Sequence, residues 1–354
     1  MERSIHNGIV PLDTDIAAVR ERYARFARDE APHRSALYAD WATRVADDAA
    51  VAAVIARLAP LQRQPALVFA VTRMLGVGLV AAPQWAAWLT DNADAVVAEA
   101  SVRGVQTNEP LRCAALLPAL SRIDGPIALV EVGASAGLCL YPDRYSYRYR
   151  TPAGIVALDP GDRASTVVLE AEWRGPWHPL RMPEVVWRAG IDLQPRDAAD
   201  PVDRAWLTGL VWPGETGRAE RVEAALDVVA ADPPLQVAGD AADALADLMA
   251  RAPKDATLVV TTPGVLAHVP RAGRERIIEV ARRAGHWVTM DAAGLHAATD
   301  GAWHPAPDRR RWPNGTFVLA LDGGVMAAVD PLGGIVAPIA EGWEWHPAAR
   351  VDRG

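Results

Sequence analysis

Residues 127–141 read IALVEVGASAGLCLY, and the fold turns on this stretch. Its first six residues form a continuous apolar run closed by glycine, the pattern of a strand buried on both faces. Read from the middle, Gly133-Ala134-Ser135-Ala136-Gly137 is G-x-S-x-G, the spacing of a hydrolase nucleophile elbow. Read from Glu131, the same letters give E-x-G-x-S-x-G, close to the glycine-rich turn of a sheet that binds S-adenosylmethionine. In the first reading Ser135 is a nucleophile. In the second it is one wall of a cofactor pocket.

Downstream, LQVAGD, TLVVTT, HWVTMD, FVLALD and MAAVD are strand-like runs that mostly end in a polar residue. RERIIEVARRAG lies between two of them as a crossover helix. Alternation of this kind predicts a mostly parallel sheet. The last two runs are separated by Gly323-Gly324, which predicts an antiparallel hairpin. A parallel sheet finished by a hairpin is the strand plan of class I methyltransferases, so the expected fold is α/β with a Rossmann-like sheet of that type. Residues 150–215 hold Trp173, Trp177, Trp187, Trp206 and Trp212, and read as a Trp-rich insert packed on the sheet.

Upstream of residue 122 the periodicity is helical. Ile16, Val19, Tyr23 and Phe26 recur at steps of three and four. SALYADWATRVADDAAVAAVIARLA reads as one helix capped by Ser35, and QPALVFAVTRML and PQWAAWLTDNADAVVAEASV as two more. VQTNEPLRCAALLPALSRI reads as another, entered through Thr107 or Asn108 and Pro110. The expected organisation is a helical domain over 1–122 and an α/β domain over 123–354, with the insert at about 150–215.

The chain has 354 residues, half of them hydrophobic, and a net charge of −8. No cluster of Lys or Arg offers the footprint that phosphate backbones require, so nucleic acid is excluded as a partner. No apolar window reaches the length of a membrane span, because Arg73 breaks the nearest one. The N-terminal residues carry no signal-peptide pattern, and Cys113 and Cys139 form neither a disulfide framework nor a metal-ligand spacing. The expectation is a cytoplasmic protein without a protein-built metal site, acting on a small-molecule substrate. The oligomeric state is left open.

The two readings of the turn make different demands. An elbow needs a histidine base late in the sheet, and Ser135, Asp240 and His296 can be drawn as a triad. No H-G-G-G-like oxyanion loop precedes the serine. The cofactor reading places Glu131, Gly133, Ser135 and Gly137 at the methionine end, with the helix after the turn supplying free N–H groups. Asp192, ending RAGID, would bind the ribose hydroxyls, although RYSYRYR competes as the second strand. Asp240, in QVAGD, would reach the adenine, cap a helix, or do both. Thr261-Thr262-Pro263 would line the reacting edge, with Thr262 facing the substrate. It is not the Asn/Asp-Pro-Pro-Tyr of amino-group methylases. The cofactor reading, S-adenosylmethionine-dependent methyl transfer, leads; a serine hydrolase and a non-catalytic Rossmann-like binding protein remain alternatives.

VQTNEPLRCAALLPAL, LVEVGASAGLCL, RAGIDLQPRD and WLTGLVWP closely resemble an uncharacterised bacterial family known as domain of unknown function 2332, over about residues 20 to 345. The resemblance implies no established activity. Cys139 stands where the family usually carries Asn, and His268 where a tyrosine is common. The pattern draws attention to QTNE. Its residues could form a capping box, or Gln106, Asn108 and Arg112 could face the pocket and hold polar groups of cofactor or substrate. Arg112 could equally bridge to Glu109.

Overall fold

The computed structural model describes residues 12–161, 164–292, 295 and 315–339. The chain forms two compact units, Met1–Thr107 with Pro201–Glu223, and Asn108–Asp200 with Ala224–Gly354. The division therefore falls ahead of residue 122. The apolar helix expected to close the helical domain belongs to the sheet unit instead.

The helical unit begins with α1 (Asp13–Asp29), whose Val19, Tyr23 and Phe26 make one buried face. Helix α2 (Ala36–Asp47) starts where expected, with the Ser35 hydroxyl accepting from the Tyr38 amide at 3.2 Å. The long helix expected beyond it breaks at Asp48. That carboxylate accepts from the amides of Ala50 and Val51 and so opens a new helix, α3 (Ala49–Ala56). Next come α4 (Pro65–Met74), α5 (Ala82–Asp91) and α6 (Ala93–Val102). Prolines in the first turns of α4 and α5 cost no hydrogen bond, since those amides have no intrahelical partner. The core is aromatic: Trp41 stacks on Trp85 at 5.1 Å, and Phe69 meets both edge-on.

The sheet unit opens with α7 (Arg112–Leu120), every residue of which is buried, and β1 (Pro126–Val132). Beyond the glycine turn the chain makes a three-residue 3-10 turn, Leu138–Leu140, where an α-helix was expected. It then forms β2 (Ser146–Thr151), β3 (Gly154–Leu158), β4 (Val168–Trp173) and β5 (Glu184–Asp192). After α8 (Pro201–Gly209) and α9 (Arg218–Ala231) strand and helix alternate: β6 (Leu235–Ala238), α10 (Ala241–Met249), β7 (Thr257–Pro263), α11 (Arg271–Ala281) and β8 (His286–Ala292). Strands β9 (Phe317–Leu321), β10 (Gly324–Val329) and β11 (Ile335–Pro338) follow.

Together the strands form an eleven-stranded, mostly parallel sheet in the order β3-β2-β4-β11-β10-β9-β8-β7-β1-β5-β6. Strands β6, β5, β1, β7 and β8 are parallel neighbours. The expected hairpin is present as β9 and β10, with its turn one residue earlier than foreseen. Asp322 and Gly323 carry φ of 51° and 86°, the pair of positive values a tight two-residue turn requires. RYSYRYR does form a strand, β2, but it pairs far from β1. The neighbour of β1 is β5, ending in Asp192.

The expected Trp-rich insert is thereby divided. Trp173 and Trp177 pack edge-on at 4.9 Å beside Tyr149 in the sheet unit. Trp206 and Trp212 belong to the helical unit, where Trp212 packs on Phe26 and Tyr38 and under the Arg34 guanidinium.

Candidate functional site

Successive strands leave β1 in opposite directions, β5 on one side and β7 on the other. Such a switch point opens a crevice beyond the carboxyl ends of the strands, where α/β sheets take their ligands. Register brings the acids into a row there. Glu131 pairs with Gly190 of β5 and Thr261 of β7, and Asp192 pairs with Ala238 of β6, two residues before Asp240.

The glycine turn is tightly closed. Gly133, Ser135 and Gly137 have φ of 74°, 50° and 81°, and a Cβ on Gly133 would lie 2.5 Å from Val265 Cγ2. Its amides are spent within the protein. Gly133 and Ala134 donate to the Ile191 carbonyl, Ser135 to Asp192 Oδ2, Ala136 to Asn108 Oδ1 and Gly137 to the Ala134 carbonyl. The free N–H groups expected after the turn are therefore not offered by it, and a three-residue 3-10 turn supplies no helix N-terminus in their place. Side chains must hold any ligand here.

Asp192 sits at the end of the strand beside β1, as the cofactor reading requires, and also braces the turn, accepting from the amides of Ser135 and Gln194 at 2.9 and 2.8 Å. Asp240 is exposed and caps α10 by accepting from the Ala242 amide at 2.8 Å. Thr262 does not face the crevice: it is fully buried and accepts from the Trp287 indole at 3.1 Å. Gln106 is half-buried and belongs to the helical unit. QTNE is not a capping box, for α7 starts only at Arg112 and has no side-chain cap. Asn108 instead reaches 27 residues ahead, its Nδ2 donating to Ser135 Oγ at 3.0 Å. In the triad drawn around Ser135, His296 lies outside the described residues.

Arg112 does not bridge to Glu109. Its Nη1 donates to the Pro263 carbonyl at 2.8 Å and its Nε to the Pro331 carbonyl at 3.0 Å, clamping the end of β7. The guanidinium lies against Gly264, where a Cβ would come within 2.8 Å of Nη2. Beside it Glu131 is only 3% exposed, and its Oε2 has no hydrogen-bond partner. Burial is the main force pushing that carboxyl well above its usual range. Cys139 and Asp192 push the same way, and Arg112 opposes them. Cys139 packs between Cys113 and Glu109 with its thiol likewise raised well above normal.

Asp291, ending β8, was not foreseen. Fully buried, it accepts from the Leu266 and Ala292 amides, and burial lifts it to about 6. The MDA that ends β8 gave a signal for it, an acid at a strand's carboxyl end. The Arg112–Gly264 packing had only the glycine after Thr-Thr-Pro to announce it. Among the described residues no group of His, Cys, Asp and Glu is placed to hold a metal, and no helix is long and apolar enough to cross a membrane.

The chain belongs to the bacterial family described as "Uncharacterized protein conserved in bacteria (DUF2332)", whose profile matches residues 20–321. No curated protein and no solved structure matches it.

Proposed function

We infer that this member of the DUF2332 family binds S-adenosylmethionine in the crevice at the carboxyl edge of β6, β5, β1 and β7, and transfers its methyl group to a small molecule. The observation that carries this reading is the row of acids. Asp240, Asp192 and Glu131 stand at or just beyond the carboxyl ends of three adjacent parallel strands, in the order that would meet adenine, ribose and methionine. The fit is supported by the orphaned Oε2 of Glu131, a buried polar atom without a partner.

When bound, the sulfonium supplies an activated methyl group. The chain's own part is to position and to exclude water, and a displacement of this kind needs no general base. Gly133 and Gly137 shape the floor, Asn108 and Asp192 lock it, and Arg112 fixes the end of β7. Ultraviolet crosslinking of methyl-labelled S-adenosylmethionine to the whole protein tests the reading. Label should appear in peptides covering residues 131–139 or 192–194. Label no greater than on heat-denatured protein would sink it.

A second reading, serine hydrolysis through Ser135, draws on one observation. A non-glycine residue with φ of 50° sits at the centre of G-x-S-x-G, the strained backbone an elbow serine adopts. Fluorophosphonate labelling that disappears in Ser135→Ala would favour it over methyl transfer.

A further inference from the structure

Two groups of opposite charge, each with a polar atom not used within the protein, stand at the same crevice. The Arg112 guanidinium is 9% exposed and spends Nη1 and Nε on backbone carbonyls, while Nη2 is left with no hydrogen bond and the side chain makes no ion pair among the described residues. Held by carbonyls, the arginine keeps its full positive charge, which the buried Asp291 carboxyl also feels. Glu131, close enough to feel that charge, is buried with one carboxyl oxygen orphaned. A single orphan can be a packing accident. A cation with a donor to spare and an orphaned acid together describe the complement of a molecule carrying both signs.

We propose that Arg112 and Glu131 form a site for the zwitterionic head group of an α-amino acid, Arg112 Nη2 taking the carboxylate and Glu131 the ammonium. This rests on the S-adenosylmethionine reading, whose ligand carries such a group, and adds that binding is linked to a proton. Without a ligand beside it, burial raises the pKa of Glu131 and favours its neutral form. An ammonium placed beside it favours the carboxylate, so its pKa falls in the complex and a proton leaves for solvent. The O–H bond of the Glu131 carboxyl breaks, its electron pair stays on the oxygen, and the buffer takes the proton. The other charged and titratable groups facing Glu131 are Cys139 from the 3-10 turn, Arg112 from α7, Asp192 from β5 and Tyr145. The bond with Cys113 and burial raise Cys139, and burial raises Tyr145, so neither competes with Glu131 in answering to the ligand.

The sign follows directly. Affinity rises with pH between the lowered pKa of the complex and the raised pKa of the empty site, by up to about tenfold per pH unit. Outside that window it is flat.

The test is calorimetry on the whole protein in buffers of differing ionisation enthalpy. S-adenosylhomocysteine is compared with 5′-methylthioadenosine, which has the same nucleoside and a thioether but no amino acid. S-adenosylhomocysteine should bind at least about tenfold more tightly, with proton release, and 5′-methylthioadenosine without it. Glu131→Gln, nearly isosteric, should abolish the release and most of the advantage while leaving 5′-methylthioadenosine binding unchanged. Arg112→Lys, which also loosens the hold on Pro263 and Pro331, tests the other half and should weaken S-adenosylhomocysteine more than 5′-methylthioadenosine. Equal binding of the two ligands with no difference in protons would overturn the head-group site and leave the nucleoside reading standing. If neither binds, the cofactor reading fails. L-methionine at millimolar concentration then decides the head-group site separately: binding with proton release, lost in Glu131→Gln, would uphold it, and no binding would overturn it.

Discussion

Gly133 carries two constraints at once, a left-handed φ and a Val265 methyl in the space where its Cβ would stand. Gly133→Val should therefore cost about 2–4 kcal/mol of stability, strain and overpacking together, measured by urea denaturation. Asn108 meets the turn from the other side, with one bond to Ser135 Oγ and one from the Ala136 amide. Asn108→Ala leaves both turn groups buried without it and should cost about 1–3 kcal/mol, while Asn108→Asp should recover part of the loss through the amide alone. Asp291 makes a pH-dependent contribution. Its folded pKa of about 6 lies above the ordinary value of 3.8, so the folded state holds its proton more tightly than the unfolded chain. Stability through this group is greatest below the ordinary value, falls as pH rises through the interval up to about 6, and is flat above it. The drop is about 3 kcal/mol. Comparing urea midpoints of the protein and Asp291→Asn across that range should show the protein losing stability relative to the variant as pH rises; parallel curves would contradict it.

At the scale of elements, Asp48 is a joint. It ends α2 and caps α3 through two amides, so Asp48→Ala should cost about 1 kcal/mol and lower the helical signal in circular dichroism only slightly. This joint also marks where reading the sequence stopped working. Periodicity hides the break between Ser35 and Ala56 because α3 is made only of apolar residues and so fits any helical phase. Nothing in a pattern of three and four announces that a carboxylate will turn the axis. The strands were legible for the opposite reason: IALVEV, TLVVTT and HWVTMD are too short and too β-branched for helices, the first closed by glycine and the other two ending in a polar residue. The glycine turn misled in one respect. Positive φ at Gly133 and Gly137 follows from their lack of a side chain, but what comes after is set by packing. Leu138, Cys139 and Leu140 are all buried, and a 3-10 turn seats them. The pairing of Asn108 with Ser135 and of Arg112 with Gly264 joins residues far apart in the chain, which spacing alone cannot register.

For the whole molecule, the chain leaves the sheet unit after residue 200 and re-enters it at 224, lending the intervening segment to the helical unit. Trp212 is the anchor of that loan, 8% exposed against Phe26 and Tyr38, with the Arg34 guanidinium 3.6 Å above its ring. Trp212→Ala should cost about 3–5 kcal/mol, read as a lowered urea midpoint of the helical unit's near-ultraviolet signal. That division also explains why composition could not place the tryptophans between residues 173 and 212: one stretch of sequence supplies two separate cores. The sheet unit bears the central claim, since Glu131, Asp192, Asp240 and Arg112 all belong to it. The most direct measurement is a calorimetric titration of the intact protein with S-adenosylmethionine, repeated on Asp192→Asn. Saturable binding in the micromolar range, weakened at least about tenfold by the substitution, is the expected result. No binding at millimolar ligand, with the protein folded by circular dichroism, would contradict it.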